Sequence, residues 1–199
     1  MELKGKKVGI ALTGSHCTLE EALREIEKIK ALGAEITPII SEPIDRTDTR
    51  FGEAEYWKKR LQEISGKELI NSIVLAEPIG PQQLFDCLVI VPCTGNTLAK
   101  LANGIIDSPV LMAAKAHLRN LQPLVLAIST NDGLGLNAKN IGILLNTKHI
   151  YLVPFRQDNP CQKPNSLVSR LELLIPTIIC ALEGKQYQPI LASNEDVKP

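Results

Sequence analysis

Val8-Gly9-Ile10-Ala11-Leu12-Thr13-Gly14-Ser15 is the stretch whose reading decides the fold. Val8 to Leu12 form a nearly continuous apolar run, as expected of a strand covered on both faces. Thr13-Gly14-Ser15 then breaks the run. Thr18 with Glu21 fits a capping box, and Leu19, Ala22, Leu23, Ile26, Ile29 and Leu32 line one helical face. Gly33 ends that helix. Glu35 to Ile40 reads as a second strand, at an edge or a bulge because Pro38 has no N–H to give a ladder. Strand, turn, helix and strand at this spacing build a parallel sheet.

The alternation continues outward. Residues 41–50 read as a polar loop, with a helix from about Gly52 to Ile64. Pro78, Gly80 and Pro81 mark the stretch 66–85 as largely loop. Cys87 to Val91 is a buried strand, followed by helical segments near 97–103 and 110–120. Leu124 to Ile128 is another strand, followed by a polar loop and a helix near 137–146. Ile150 to Val153 reads as the last strand and Leu167 to Leu182 as the last helix, kinked at Pro176. The expected class is α/β, a three-layer Rossmann-like or flavodoxin-like parallel sheet. Residues 1–185 would form its single domain and 186–199 a C-terminal arm packing on a neighbouring subunit.

Composition narrows the function. The 199 residues carry 22 Lys+Arg against 22 Asp+Glu, and this balance argues against a chain built to grip nucleic acid. No apolar stretch approaches the roughly 20 residues of a membrane span, and no signal peptide is visible, so a cytoplasmic protein is expected. The five cysteines form no CxxC pair and share no metal-ligand spacing with a histidine, so free thiols and no zinc are expected. Aromatic side chains make up only 4% of the chain, leaving little material for stacking a ring.

Parallel sheets of this kind bind ligands where loops leave the carboxyl ends of the strands. That singles out loops 13–18, 41–50, 92–97 and 129–137. In the first, Gly14 permits close backbone approach, and Ser15 with the helix start can hold an anion such as phosphate; a plain turn is the alternative. The Rossmann glycine pattern and the Walker lysine are both absent. In the third, Asn96 offers donors and acceptors, and Thr97 either meets a ligand or caps a helix. In the fourth, Asn131-Asp132 fits a ligand contact or an Asx-turn. His16, beside Ser15, can relay a proton or simply pack at the helix start. His117 reads as a surface residue and His149 as a helix-end group. Cys17 and Cys93 flank the loops, as small packers or, for Cys17, as a helix-start thiolate. Arg46, Arg50 and Lys163 are the cations suited to a carboxylate ligand. Phe51, Tyr56 and Trp57 cluster just after the second loop, positioned for a ligand ring or a subunit contact.

The run Pro92-x-Thr94-x-Asn96-Thr97-x-Ala99-Lys100-x-Ala102-x-Gly104-Ile105-x-Asp107 resembles the Asn-Thr segment of the flavin-dependent cysteine decarboxylases and flavin prenyltransferases. Thr13-Gly14-Ser15 matches the first loop of that family, and Ser41 stands where it has a hydroxyl after the second strand. The resemblance implies FMN held by Gly14, Ser15, Ser41, Pro92, Thr94 and Thr97, with Asn96 in a catalytic role and trimer-based self-association; His16 is the catalytic candidate that its place beside Ser15 suggests. Two features depart from the decarboxylase pattern: there is no histidine between residues 17 and 116, and Ser129-Thr130 precede Asn131 with no methionine. A narrower branch is similar over almost the whole chain, through Thr49-Arg-Phe-Gly-Glu53, Asp107-Ser-Pro-Val-Leu-Met-Ala-Ala-Lys115, Ile128-Ser-Thr-Asn-Asp132, Lys163-Pro-Asn-Ser166 and Gln188-Pro-Ile-Leu191. Its members serve sporulating bacteria. That branch implies the B-type subunit of an oxidoreductase in the mother-cell cytoplasm, with a separate A-type partner carrying NADP. The substrate would be a small heterocyclic dicarboxylate precursor, held by Arg50 and Asn131. A stand-alone FMN-dependent decarboxylase or prenyltransferase, or a non-catalytic partner of the A-type chain, are the alternative functions.

Overall fold

The computed structural model describes residues 3–193. In chain order the elements begin with β1 (Lys7–Leu12), α1 (Leu19–Ala31), β2 (Glu35–Ile40), α2 (Glu42–Arg46), α3 (Ala54–Ser65) and α4 (Ile73–Ala76). Then come β3 (Cys87–Cys93), α5 (Gly95–Ala102), α6 (Pro109–Leu118), β4 (Leu124–Thr130), α7 (Ala138–Leu145) and β5 (Ile150–Leu152). A hairpin of β6 (Phe155–Asn159) and β7 (Lys163–Ser169) precedes α8 (Leu174–Leu182).

The sheet has seven strands in the order β2-β1-β3-β4-β7-β6, with β5 also paired to β4. Period-two alternation splits the strands between two cores. Val8, Ile10, Leu12, Val89, Val125 and Ala127 face α1, α3 and α8. Ala11, Leu88, Ile90, Leu124, Leu126 and Ile128 face α4, α5, α6 and α7. Helices on both faces make the three expected layers, and each fully buried aliphatic side chain contributes about 1.5–3 kcal/mol. Gly9 belongs to this packing: a Cβ there would lie 2.6 Å from the Phe85 ring, so the ring takes the space a side chain would need. Pro38 does sit on the edge strand, β2.

Several expectations are corrected. The sheet is mixed, because β7 runs antiparallel to β4 through Ser129↔Val168 and Thr130↔Leu167. Residues 163–169 form a strand, so the last helix starts at Leu174; Pro176 lies in its first turn, where no intrahelical N–H is lost. Loop 41–50 contains the short helix α2. The capping box does not form, since the Thr18 hydroxyl donates to the Ser15 carbonyl at 2.9 Å and makes no cap bond. The first part of the arm lies on its own domain: the Gln186 amide satisfies both backbone groups of Leu152, at 2.9 and 2.7 Å. Phe155 N–H then donates to the Ile190 carbonyl at 3.0 Å. The expected arm beyond residue 193 lies outside the described residues.

His117 is also corrected, from surface to core. It is 2% exposed, and its Nε2 lies 3.0 Å from the Pro123 carbonyl oxygen. Burial pushes its pKa from 6.5 down to about 4, partly offset by that hydrogen bond and by Asp86. The unfolded chain therefore takes up a proton between about pH 6.5 and 4 that the folded chain refuses. The stability gained by keeping His117 neutral is full above pH 6.5 and is progressively lost on acidification to about 4. Urea denaturation across this range should show the loss, and His117→Gln should flatten that part of the profile.

Candidate functional site

At the carboxyl ends of β1, β3 and β4 lies an open cavity of about 1310 Å³. Its floor is stitched together by hydroxyls. Thr13 Oγ1 donates to the Pro92 carbonyl at 2.7 Å and accepts from Thr94 N–H at 3.0 Å, joining the loops after β1 and β3. Ser15 Oγ lies 2.8 Å from Ser129 Oγ, bringing in the loop after β4. Thr94 caps α5 by accepting from Thr97 N–H, which leaves the start of that helix, Gly95 and Asn96, at the cavity wall.

The loop after β4 is built around an anion. The Asp132 carboxylate accepts from Thr130 Oγ1 at 2.6 Å and from Asn137 Nδ2 at 2.8 and 2.9 Å. These bonds hold its pKa below the ordinary carboxylate value. Asn137 is itself oriented by Asn140, whose Nδ2 donates to it at 2.8 Å. Gly95 packs directly against this cluster: a Cβ there would collide with Thr130 Oγ1 and Asn137 Nδ2. The hairpin forms the remaining wall, through Arg156, Asp158, Lys163 and Ser166 to Arg170. It is tied to the β4 loop by Leu134 N–H donating to the Asn165 carbonyl at 3.0 Å, and by Gly133 lying flat on Leu167.

Gly14, Ser15, His16, Arg50, Thr94, Asn96, Asn131 and Lys163 all line the cavity. Ser41, Pro92 and Thr97 do not. Pro92 presents its carbonyl to Thr13, and Thr97 is buried with its hydroxyl 3.0 Å from that of Thr94. Ser41 stands at the start of α2 but makes no cap bond, its Oγ buried and without a hydrogen-bond partner. Arg46 stands outside the cavity, paired with Glu42 and Asp45. Lys163 is paired with Asp158 at 2.9 Å. Of the aromatic cluster, Phe51 alone lines the cavity, with Arg50 over its ring. Trp57 is a core residue, 2% exposed beneath Gly52, with Tyr56 packed edge-on against it. Cys93 is fully buried, which pushes its thiol pKa up and leaves it inert, while Cys17 is exposed at the cavity. His16 Nδ1 is buried without a partner, and burial lowers the pKa of the ring.

Sequence reasoning missed Glu21, Ser129, Asp132 as an anchored carboxylate, and all of the hairpin except Lys163. The spacing Thr130-x-Asp132-x4-Asn137 was a usable signal for the carboxylate nest. Among the described residues, no group of His, Cys, Asp and Glu side chains is placed to hold a metal ion, and no helix is long and apolar enough to cross a membrane.

The chain is a doubly wound α/β domain with a polar cavity at its strand ends, floored by hydroxyls and helix starts, the place where such folds bind small ligands. The sequence model of the flavoprotein family matches residues 1–163. The dipicolinate synthase B subunit of Bacillus subtilis (strain 168) is 53% identical over 192 residues, which is 96% of each chain. The crystal structure of the dipicolinate synthase B subunit from Bacillus halodurans superposes with a TM-score of 0.90 at 52% identity, covering 97% of this chain and 99% of that one. The FMN-dependent cysteine decarboxylase SpaF shares the fold, with a TM-score of 0.63 at 16% identity over 92% of this chain and 99% of that one. The chain belongs to the flavoprotein family, on the branch of the dipicolinate synthase B subunits.

The carboxylate nest supports the cavity wall directly. Asp132→Ala strips acceptors from Thr130 and Asn137 and should destabilise the chain by about 1–3 kcal/mol in chemical denaturation. Hydrogen exchange should rise in loop 129–137 more than in β1.

Proposed function

We propose that this chain is the B component of a two-component oxidoreductase that converts a dihydrodipicolinate-type precursor to dipicolinate during sporulation. Its A-type partner carries NADP, and both act in the mother-cell cytoplasm. Identity of 53% along nearly the full length of a dipicolinate synthase B subunit is the observation that carries this reading. Self-association in trimer-based units goes with it.

FMN fits the cavity. Ser41 Oγ is a buried hydroxyl with nothing to bond, and loop one rests on the helix that follows it: Pro43 Cβ lies 2.8 Å from where a Gly14 Cβ would be. An anionic end would be held by Gly14 and Ser15, with Thr94 and the start of α5 on the next wall, while Ser41 stays behind loop one, outside the cavity. Pro92 and Thr97 act by shape, the first holding Thr13 and the second locking the Thr94 cap. A flavin, when bound, supplies a two-electron acceptor.

Aromatising a dihydro ring removes one hydride and one proton, so the site also needs a base. His16 is suited to take the proton because its lowered pKa keeps the ring neutral at pH 7. Asn96, at the start of α5, orients the ring through its amide. Arg50 and Asn131 stand on the cavity wall where ring substituents would reach. A cysteine-adduct decarboxylase is disfavoured by the absence of any histidine between residues 17 and 116.

Purified chain, incubated with FMN and mixed with the A-type partner, should accelerate ring aromatisation followed by ultraviolet absorbance. Asn96→Ala should lower that rate at least about tenfold while the melting temperature holds. With His16 as base, the rate should rise with pH through its lowered pKa and level off by neutrality, and His16→Gln should lose that rise. A colourless chain that leaves the partner's rate unchanged would refute the reading.

A further inference from the structure

We propose that Phe51 is a positioning residue for ligand recognition: its ring holds the Arg50 guanidinium ready for a carboxylate entering the cavity. This rests on the reading that a ring dicarboxylate binds there, and it names the residue that tunes the grip. Arg50 and Phe51 both line the cavity, on the turn between α2 and α3. The other cations of the wall are engaged or closed off. Lys163 is held by Asp158 at 2.9 Å, Arg170 bonds Glu172, and Nε and Nη1 of Arg156 are shut away from solvent. Arg50 is exposed, and among the described residues it is paired with no carboxylate. Its contact is the Phe51 ring, 4.8 Å from guanidinium carbon to ring centre.

The turn that carries the pair is pinned on three sides. Thr49 and Gly52 exchange backbone hydrogen bonds of 3.1 Å each, and the Thr49 hydroxyl accepts from Phe51 N–H at 3.2 Å. Asp48 Oδ1 accepts from Ala54 N–H at 2.8 Å, which ties the turn to the start of α3. Gly52, at φ +145°, lies on the buried Trp57 indole, where a Cβ would come within 2.9 Å. None of these contacts uses the Phe51 side chain, which is 44% exposed. The ring is therefore not needed to hold the turn; what it holds is Arg50. A ring contact draws on the charge of a guanidinium and leaves its N–H donors free. An unrestrained arginine gives up the freedom of a long side chain on binding, and one already stacked has less to lose. A carboxylate can then take two parallel N–H donors from a group already in place.

The test is calorimetric titration of pyridine-2,6-dicarboxylate into the full chain, alone and with FMN, run as a double-mutant cycle. Wild type and Arg46→Gln, whose cation lies outside the cavity, should bind alike. Arg50→Gln should weaken binding by about 10- to 100-fold. Phe51→Ala should weaken it by about 2- to 5-fold, the worth of an exposed cation–ring contact, with an unchanged melting temperature. Phe51→Tyr keeps the ring and should bind as wild type; Phe51→Leu keeps only bulk and should behave as Phe51→Ala. In the Arg50→Gln background Phe51→Ala should cost nothing further, because the ring acts through Arg50. An undiminished Phe51→Ala loss in that background would mean that the ligand meets Phe51 directly, and would overturn the positioning role. Wild-type affinity in Phe51→Ala would overturn it too, and either result leaves the dicarboxylate reading standing. Failure of wild type to bind would overturn that reading and the role with it.

Discussion

The hydroxyl of Thr13 is the interaction on which the site depends. Parallel strands deliver their carboxyl ends side by side, and the loops leaving them diverge unless something holds them. Thr13, 2% exposed, is donor to one residue and acceptor from another in the chain leaving β3, so a single oxygen fixes the spacing of the first and third loops. The bond to Pro92 is buried and the one from Thr94 partly so, where an unmatched polar group is costly, so drift of either loop would leave a group unpaired. Ser15 and Ser129 extend the same device to the third strand end. The start of α5 and the carboxylate nest are then placed on a floor already set.

The charge layout of the cavity follows from this floor. Asp132 is kept ionised by donors chosen from its own loop. Glu21, facing the hairpin, is pushed the other way by burial and neighbouring carboxylates. Two acids at one site are thus biased towards opposite protonation states by their surroundings, with a neutral histidine beside them. Such a mixture of fixed and adjustable charge suits a ligand that is anionic when it enters and loses a proton there.

The parts of the fold legible in the sequence are those where burial on both faces leaves a continuous apolar run. Val8–Leu12, Cys87–Val91 and Leu124–Ile128 are of this kind, and the face of α1 is equally plain. The hairpin was illegible for the opposite reason. Phe155-Arg156-Gln157-Asp158-Asn159 contains one apolar residue, and Lys163-Pro164-Asn165-Ser166 reads as a turn, because these strands are half-buried and face a polar cavity. The run Leu167–Leu182 is aliphatic enough to mimic one helix, although its first residues pair with β4 and β6. The site was legible where motif and loop coincide, at Gly14, Ser15 and Asn96. Ser41 and Thr97 carry the right chemistry, but their burial depends on packing by α2 and α5 that no spacing encodes. Arg156 became visible only once its strand did.

β4 divides its outer edge between two different neighbours. Its first half takes parallel β5, and its last two residues take antiparallel β7. The lower half belongs to the load of the core, the upper half to the cavity wall. The wall is therefore part graft and part pillar: Arg156, Asp158 and Lys163 face the cavity, whereas Phe155 and Leu167 of the same hairpin are buried in the core of the sheet. A domain built this way can change what it recognises by rewriting the cavity-facing residues of one short hairpin, while the floor stitched by Thr13 stays as it is.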